Sequence, residues 1–190
     1  MFKTAPLLFI ALGSSIFSAP TLASPIYGVF NMNLDFGGDK MVEAVTTDGK
    51  TVDVTAGRGL YLAGGVGKTL DDGKYDTQFT VGWKYTGINA SNLTVDWTRF
   101  PIEALAYINQ NNLRLGGGVM YSVNNSLKAS GLLEGNAKFD NALGFVLETQ
   151  YRIGSVFLIG ARATIIDYTI NGSSLDGNSI GASMSFQFAK

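Results

Sequence analysis

The chain contains neither cysteine nor histidine among its 190 residues. Without cysteine there is no disulfide framework and no thiolate to act as nucleophile or ligand. Without histidine the commonest general base and the commonest metal ligand are both missing. Charge is scarce as well: Asp, Glu, Lys and Arg make up 15% of the chain, against about 25% in ordinary soluble domains. The net charge of −1 leaves no basic footprint for nucleic acid. After the N-terminal segment no apolar run is long enough for a membrane helix, which needs ~20 residues. The run Val156 to Ala161, for example, stops at Arg162. Any span must therefore be made of strands, since only helices and closed barrels satisfy the backbone in lipid. What the chain does have is 24 glycines and 12% aromatics. So many aromatic and β-branched residues argue against disorder.

The N-terminus reads as an address. Met1-Phe2-Lys3 carries a positive charge, Ala5 to Gly13 is a short apolar core, and Ser14 to Leu22 leads to the small residue Ala23. That is the layout of a secretory signal peptide. Cleavage is expected after Ala23, leaving residues 24–190 as one domain.

The remainder alternates with period two, the mark of strands with two chemically different faces. In Tyr75 to Gly87, Tyr75, Phe79, Val81, Trp83 and Tyr85 share one face, while Asp76, Gln78, Thr80 and Lys84 share the other. Similar patterns run through Ile26–Phe36, Leu60–Leu70, Thr94–Ile108, Leu113–Val123, Ala142–Arg152, Phe157–Ile165 and Ser179–Phe188. That makes roughly eight strands, the smallest usual membrane barrel. Short links at Asp71–Lys74, Asn109–Asn112 and Ile153–Ser155 alternate with longer ones, as in an antiparallel barrel with a turn side and a loop side. Pro101 cannot donate to the ladder, so a bulge is expected there.

Alternation alone does not say which face is inside. The polar rows are rich in Gly, Ser and Thr and lack the dense charge that keeps a soluble barrel in solution. Small residues suit a narrow interior, because about eight strands enclose just enough space for side chains. Aromatics (Phe36, Tyr75, Trp83, Tyr85, Trp97, Tyr107, Tyr121, Tyr151) fall near strand ends, where bilayer interfaces favour them. The expected fold is all-β: an eight-stranded antiparallel up-and-down transmembrane β-barrel, apolar outside and polar within.

With its leader, its strand set and the ending Gly181-Ala182-Ser183-Met184-Ser185-Phe186-Gln187-Phe188, the chain resembles the small eight-stranded outer-membrane barrels of Gram-negative bacteria, the OmpX, OmpA-transmembrane and OmpW-like group. The resemblance covers the whole chain after the leader. It implies an outer-membrane location reached through the periplasm, contact with outer-membrane lipid, and a C-terminal signal in Gly181, Phe186 and Phe188 read by the barrel-assembly machinery. Two residues after Phe188 depart from the group's aromatic ending. A monomer is expected.

Three constellations bear on function. The facing assignment sends Gln78, Lys84, Arg99, Glu103, Arg114, Glu148, Gln150, Arg152 and Arg162 to the lumen, where ions must be paired or hydrated. If the turn is Ile153-Gly154-Ser155, Glu148 opposes Gly160 and lies diagonal to Arg162, within reach of a guanidinium–carboxylate pair. This set reads either as a plug or as the constriction of a narrow channel for small or apolar solutes. Second, Ile26 to Thr47 is too long for a single span of ~9–11 residues. Thr47-Asp48-Gly49-Lys50 carries an Asp-Gly hairpin signal. This segment reads either as a strand pair with Val42, Ala44, Val52 and Val54 on one face, projecting beyond the bilayer and offering an edge to a surface partner, or as an ordinary mobile surface loop. Third, Gly64-Gly65-Val66-Gly67-Lys68-Thr69 ends like a phosphate loop, but Leu62 stands where its first glycine belongs and a turn follows instead of a helix. No cofactor or metal site is expected. A lipid-modifying enzyme is the less favoured reading, because no histidine can activate a serine. The expected role is structural or adhesion-like surface interaction, with the channel as alternative.

Overall fold

The computed structural model describes residues 26–45, 51–89, 93–131 and 134–189. The signal peptide and the Thr47–Lys50 turn lie outside them. Twelve strands are present among the described residues: β1 (Ile26–Phe36), β2 (Lys40–Val45), β3 (Thr51–Thr55), β4 (Gly59–Leu70), β5 (Tyr75–Asn89), β6 (Leu93–Gln110), β7 (Leu113–Gly131), β8 (Gly135–Lys138), β9 (Ala142–Ile153), β10 (Phe157–Ile170), β11 (Ser173–Asp176) and β12 (Ser179–Ala189).

Eight of them form the wall. Each wall strand pairs antiparallel with its chain neighbour, in the order β1, β4, β5, β6, β7, β9, β10, β12. β12 then pairs with β1, from Tyr27 opposite Ala189 to Phe36 opposite Ile180, and the ring closes. Closure removes the free edges that an open sheet would expose. The lower rim carries the short turns after β4, β6 and β9 and both ends of the strand set. A left-handed Asn111 and a left-handed Gly154 make two of these turns. At the upper rim β5, β6, β7 and β10 extend past the wall; β7 and β10 acquire the short partners β8 and β11, and β2 and β3 pair with each other as a separate hairpin.

The facing agrees with an inside-out barrel. Phe79, Val81, Val119, Phe145, Leu147 and Ile165 are exposed on the outside, while Asn31, Asn33, Gln78, Thr80 and Ser183 are buried within. Burying polar side chains and exposing aliphatic ones would be costly in water, and in lipid it is the favourable arrangement.

Three local expectations change. The ladder shift near Pro101 lies one step away: Thr98 faces Ser126 while Phe100 faces Val123, and Pro101 stays in register with Ser122. The extra residue belongs to β7 at Asn124, whose φ is +52°, a conformation asparagine tolerates better than most. The β9–β10 turn is centred one residue later than expected, because Gly154 supplies the left-handed φ after Ile153 has paired with Phe157. Glu148 therefore faces Arg162 directly, and Gly160 faces Gln150. Lastly, Trp97 and Tyr107 are buried inside and do not belong to the exterior aromatic set.

Candidate functional site: the lumen and its cap

Lumen packing depends on a repeated device, a tyrosine ring laid over a glycine on the neighbouring strand. A Cβ at Gly67 would overlap the Tyr27 ring, one at Gly82 the Tyr61 ring, and one at Gly116 the Tyr107 ring. The Gly64–Thr69 segment is thus part of β4, and its glycine Gly67 makes room for an aromatic ring.

Between these rings sit eight buried charges. Four are acids (Asp35, Asp76, Glu103, Glu148) and four are bases (Lys84, Arg99, Arg114, Arg162), so the set is electrically balanced. They fall into layers. Nearest the lower rim, Arg114 donates to Gln150 at 2.9 Å, lies 3.3 Å from Asp76, and stacks 3.5 Å above the Tyr107 ring. Gln78 joins this layer: its amide is 3.2 Å from the Tyr27 hydroxyl and, with its oxygen toward the guanidinium, accepts from Arg114 at 2.8 Å. At mid-wall Arg162 grips Glu103 through both terminal nitrogens, the fork geometry in which guanidinium–carboxylate pairs are strongest. Glu148 accepts from the Tyr107 hydroxyl at 2.7 Å. Higher up, Lys84 pairs with Asp35 at 2.5 Å.

The expected Glu148–Arg162 pair is therefore replaced. Although Arg162 sits directly across from Glu148, it reaches over the lumen from β10 to β6 for Glu103. Arg152 lies half-buried near the lower rim and makes no ion pair among the described residues. Asp35 and Asp76 complete the charge balance and were absent from the sequence-derived set, though Asp76 shares its alternating face with Gln78 and Lys84, which were in it, and Asp35 lies on the polar row of β1.

Arg99 is the exception in this scheme. It is fully buried and has no carboxylate partner among the described residues. Its guanidinium donates to the carbonyl oxygens of Ala56 and Arg58, each at 2.6 Å, and to Thr86 Oγ1 at 3.3 Å. Trp97 adds a bond from its indole N–H to the Ala56 carbonyl at 3.0 Å. Together these hold the segment after β3 over the barrel mouth. There Val54 and Ala56 join Val95, Trp97, Ile166 and Tyr168 in an apolar cap, with Phe139 packed against it. Backbone bonds tie the cap's edge: Asp39 N–H donates to Asp176 O at 2.7 Å, and Asp176 N–H donates back to the Asp39 carboxylate at 2.9 Å. The valine face expected to project at the first hairpin is in part turned down into this cap: Val54 is wholly buried.

At the C-terminal strand, Gly181 sits against β1, where a Cβ would strike the Leu34 carbonyl and the Asp35 side chain. Phe186 lies between Phe30 and Phe157, with ring centroids 6.4 and 5.1 Å away. Phe188 faces outward. Among the described residues no three His, Cys, Asp or Glu side chains cluster to hold a metal ion.

No protein-family model matches the chain, and no curated protein matches it. Solved structures do. The attachment invasion locus protein Ail of Yersinia pestis superposes with a TM-score of 0.54 at 10% identity, covering 87% of this chain and 99% of that one. The same protein in complex with the heparin analogue sucrose octasulfate gives 0.55 at 13% identity, with the same coverage. Neisserial surface protein A gives 0.50 at 11%, covering 86% and 97%. At such identities the likeness is one of fold.

Proposed function

Starting from an outer-membrane barrel of this small eight-stranded type, we propose that the chain works through its outer tier and not through its lumen. The barrel is a scaffold, plugged along its axis, that holds strand edges outside the membrane for a surface partner. The observation that supports this best is the burial inside. Trp97 and Arg99 near the mouth, Glu103 at mid-wall and Arg114 below have at most 1% of their surface accessible. A path for hydrated solutes would leave such groups wet. The tier above carries β2, β3, β8 and β11, each paired on one side only among the described residues. Unpaired strand edges can be extended by another chain.

The tier's charge narrows the partner. Eight acids (Asp39, Glu43, Asp53, Asp96, Glu134, Asp140, Asp167, Asp176) outnumber four bases (Lys40, Arg58, Lys128, Lys138) among its described residues. The Ail structure was solved with a heparin analogue, but a polyanion of that kind would meet a net negative surface here. A neutral or basic polypeptide suits it better. The wall, closed on itself, needs no second copy, so the unit is a monomer. The final strand with Gly181, Phe186 and Phe188 serves as the element read by the assembly machinery. A lipid-modifying enzyme is disfavoured by the missing histidine. Recording from the purified barrel in planar bilayers tests the plug. The bilayer should stay silent, and reproducible single-channel steps would favour the narrow-channel alternative.

A further inference from the structure

On the outside of the wall, where β5, β6 and β7 leave the membrane, lies a groove of about 470 Å³. It opens at the Asn124 bulge, where the extra residue interrupts the β6–β7 ladder. Its polarity changes along its length. The lower end is made by Phe100 and by Trp83 stacked on Tyr85, their centroids 5.3 Å apart. Asn124, Ser126 and Thr98 line the middle. The upper end has Asp96 and Lys128, which face each other across the ladder. The Asp96 carboxylate is already engaged by the Tyr85 hydroxyl. No salt bridge joins Lys128 to any described carboxylate.

We propose that this groove seats one phosphate-bearing glycolipid of the outer leaflet. The occupant is argued from position and polarity. The groove's floor faces lipid, so an amphiphile always surrounds it. Its apolar-to-polar gradient runs in the direction an outer-leaflet lipid is oriented. An acyl chain lies against Phe100. The Trp83–Tyr85 pair gives a flat face of the kind sugar rings stack on, with hydroxyl and amide partners from Ser126 and Asn124. Lys128, the one cation of the groove, meets the phosphate. The site does not rest on the surface-partner reading: it opens on the outside of the wall at the membrane boundary and uses none of β2, β3, β8 or β11, although its Asp96 and Lys128 also belong to the tier's charge.

The test reconstitutes the full barrel in zwitterionic phospholipid nanodiscs. These are doped with a phosphorylated glycolipid, its dephosphorylated form, or an anionic phosphoglycerolipid, and the retained lipid is counted by native mass spectrometry. The phosphorylated glycolipid should be retained about tenfold over the other two, the scale of one charge-assisted contact. Lys128→Gln should remove most of that preference, and Trp83→Leu should lower retention of both glycolipids. Lys74→Gln, at the opposite rim, should change nothing. Heat-dependent electrophoretic mobility shows that each variant is folded. Equal retention of all three lipids by the unaltered barrel, or an undiminished preference in Lys128→Gln, overturns the proposal.

Discussion

The barrel wall and the tier above it follow opposite rules, and β6 passes through both. In its lower part, Phe100, Ile102, Ala104, Ala106 and Ile108 point out while Arg99 and Glu103 point in. In its upper part the outward residues are Thr94, Asp96 and Thr98, and the inward ones are Leu93, Val95 and Trp97. The strand keeps its alternation and exchanges its chemistry between Thr98 and Phe100. β10 does the same: Ile165 faces out and Arg162 in, but Asp167 faces out and Ile166 and Tyr168 in. On β7 the exchange follows Val123, where the Asn124 bulge also resets the parity. One sheet thus meets two solvents. Where the surroundings are acyl chains, apolar side chains go outward and charge is driven to the axis; where they are water, the apolar set returns to the inside. The crossover marks the membrane boundary on these three strands, and the apolar cap is the small water-soluble core that begins there.

The sharpest way to break this comparison is to unbalance the lumen. Arg162→Met leaves Glu103 buried without its cation and should cost about 3–5 kcal/mol of unfolding free energy, measured by urea titration in vesicles. The double variant Arg162→Met/Glu103→Met should recover most of that loss, and failure to recover would mean that the pair is not what the wall is built around. Next is the lipid face. Phe79→Arg at mid-wall should cost ~2–4 kcal/mol. The same substitution at Thr94, above the crossover, should be nearly silent. Third, Gly82→Ala pushes a methyl into the Tyr61 ring and should cost about 1–3 kcal/mol. The smallest effect belongs to the outer hairpin. Hydrogen bonding first to Glu43 and then to Asp53 raises the Lys40 ammonium above its ordinary value of 10.5. A raised value means that this contribution is present below that pH and fades as pH rises through the folded value. Lys40 is fully exposed, so Lys40→Gln should leave the unfolding midpoint at pH 7 unchanged.

Much of the wall was legible in the sequence because alternation is a local property. Facing followed from which row carried Gly, Ser and Thr. What was lost depended on knowing where that row changes character. Trp97 and Tyr107 share odd positions with Arg99 and Glu103, so parity alone puts them inside; only the general preference of aromatics for interfaces pointed the other way. Asp35 and Asp76 were on the inward rows too, but their cations, Lys84 and Arg114, come from other strands. The choice of Glu103 over Glu148 by Arg162 was not legible. It depends on the reach across the lumen and on Tyr107 already occupying Glu148. Nor could sequence show that Val54 and Ala56 fold down under Arg99, because that rests on two backbone carbonyls rather than on any residue type.

The crossover on β6 can be measured directly. Because the chain has no cysteine, single cysteines at residues 94, 96, 102, 104 and 106 of β6 can each carry a nitroxide in lipid vesicles without background. Collision with a water-soluble nickel chelate should dominate at 94 and 96, and collision with dissolved oxygen at 102, 104 and 106, with the switch falling between Asp96 and Ile102. If the outward positions of β6 prove equally open to the aqueous reagent along the whole strand, the wall does not face lipid and the account is wrong.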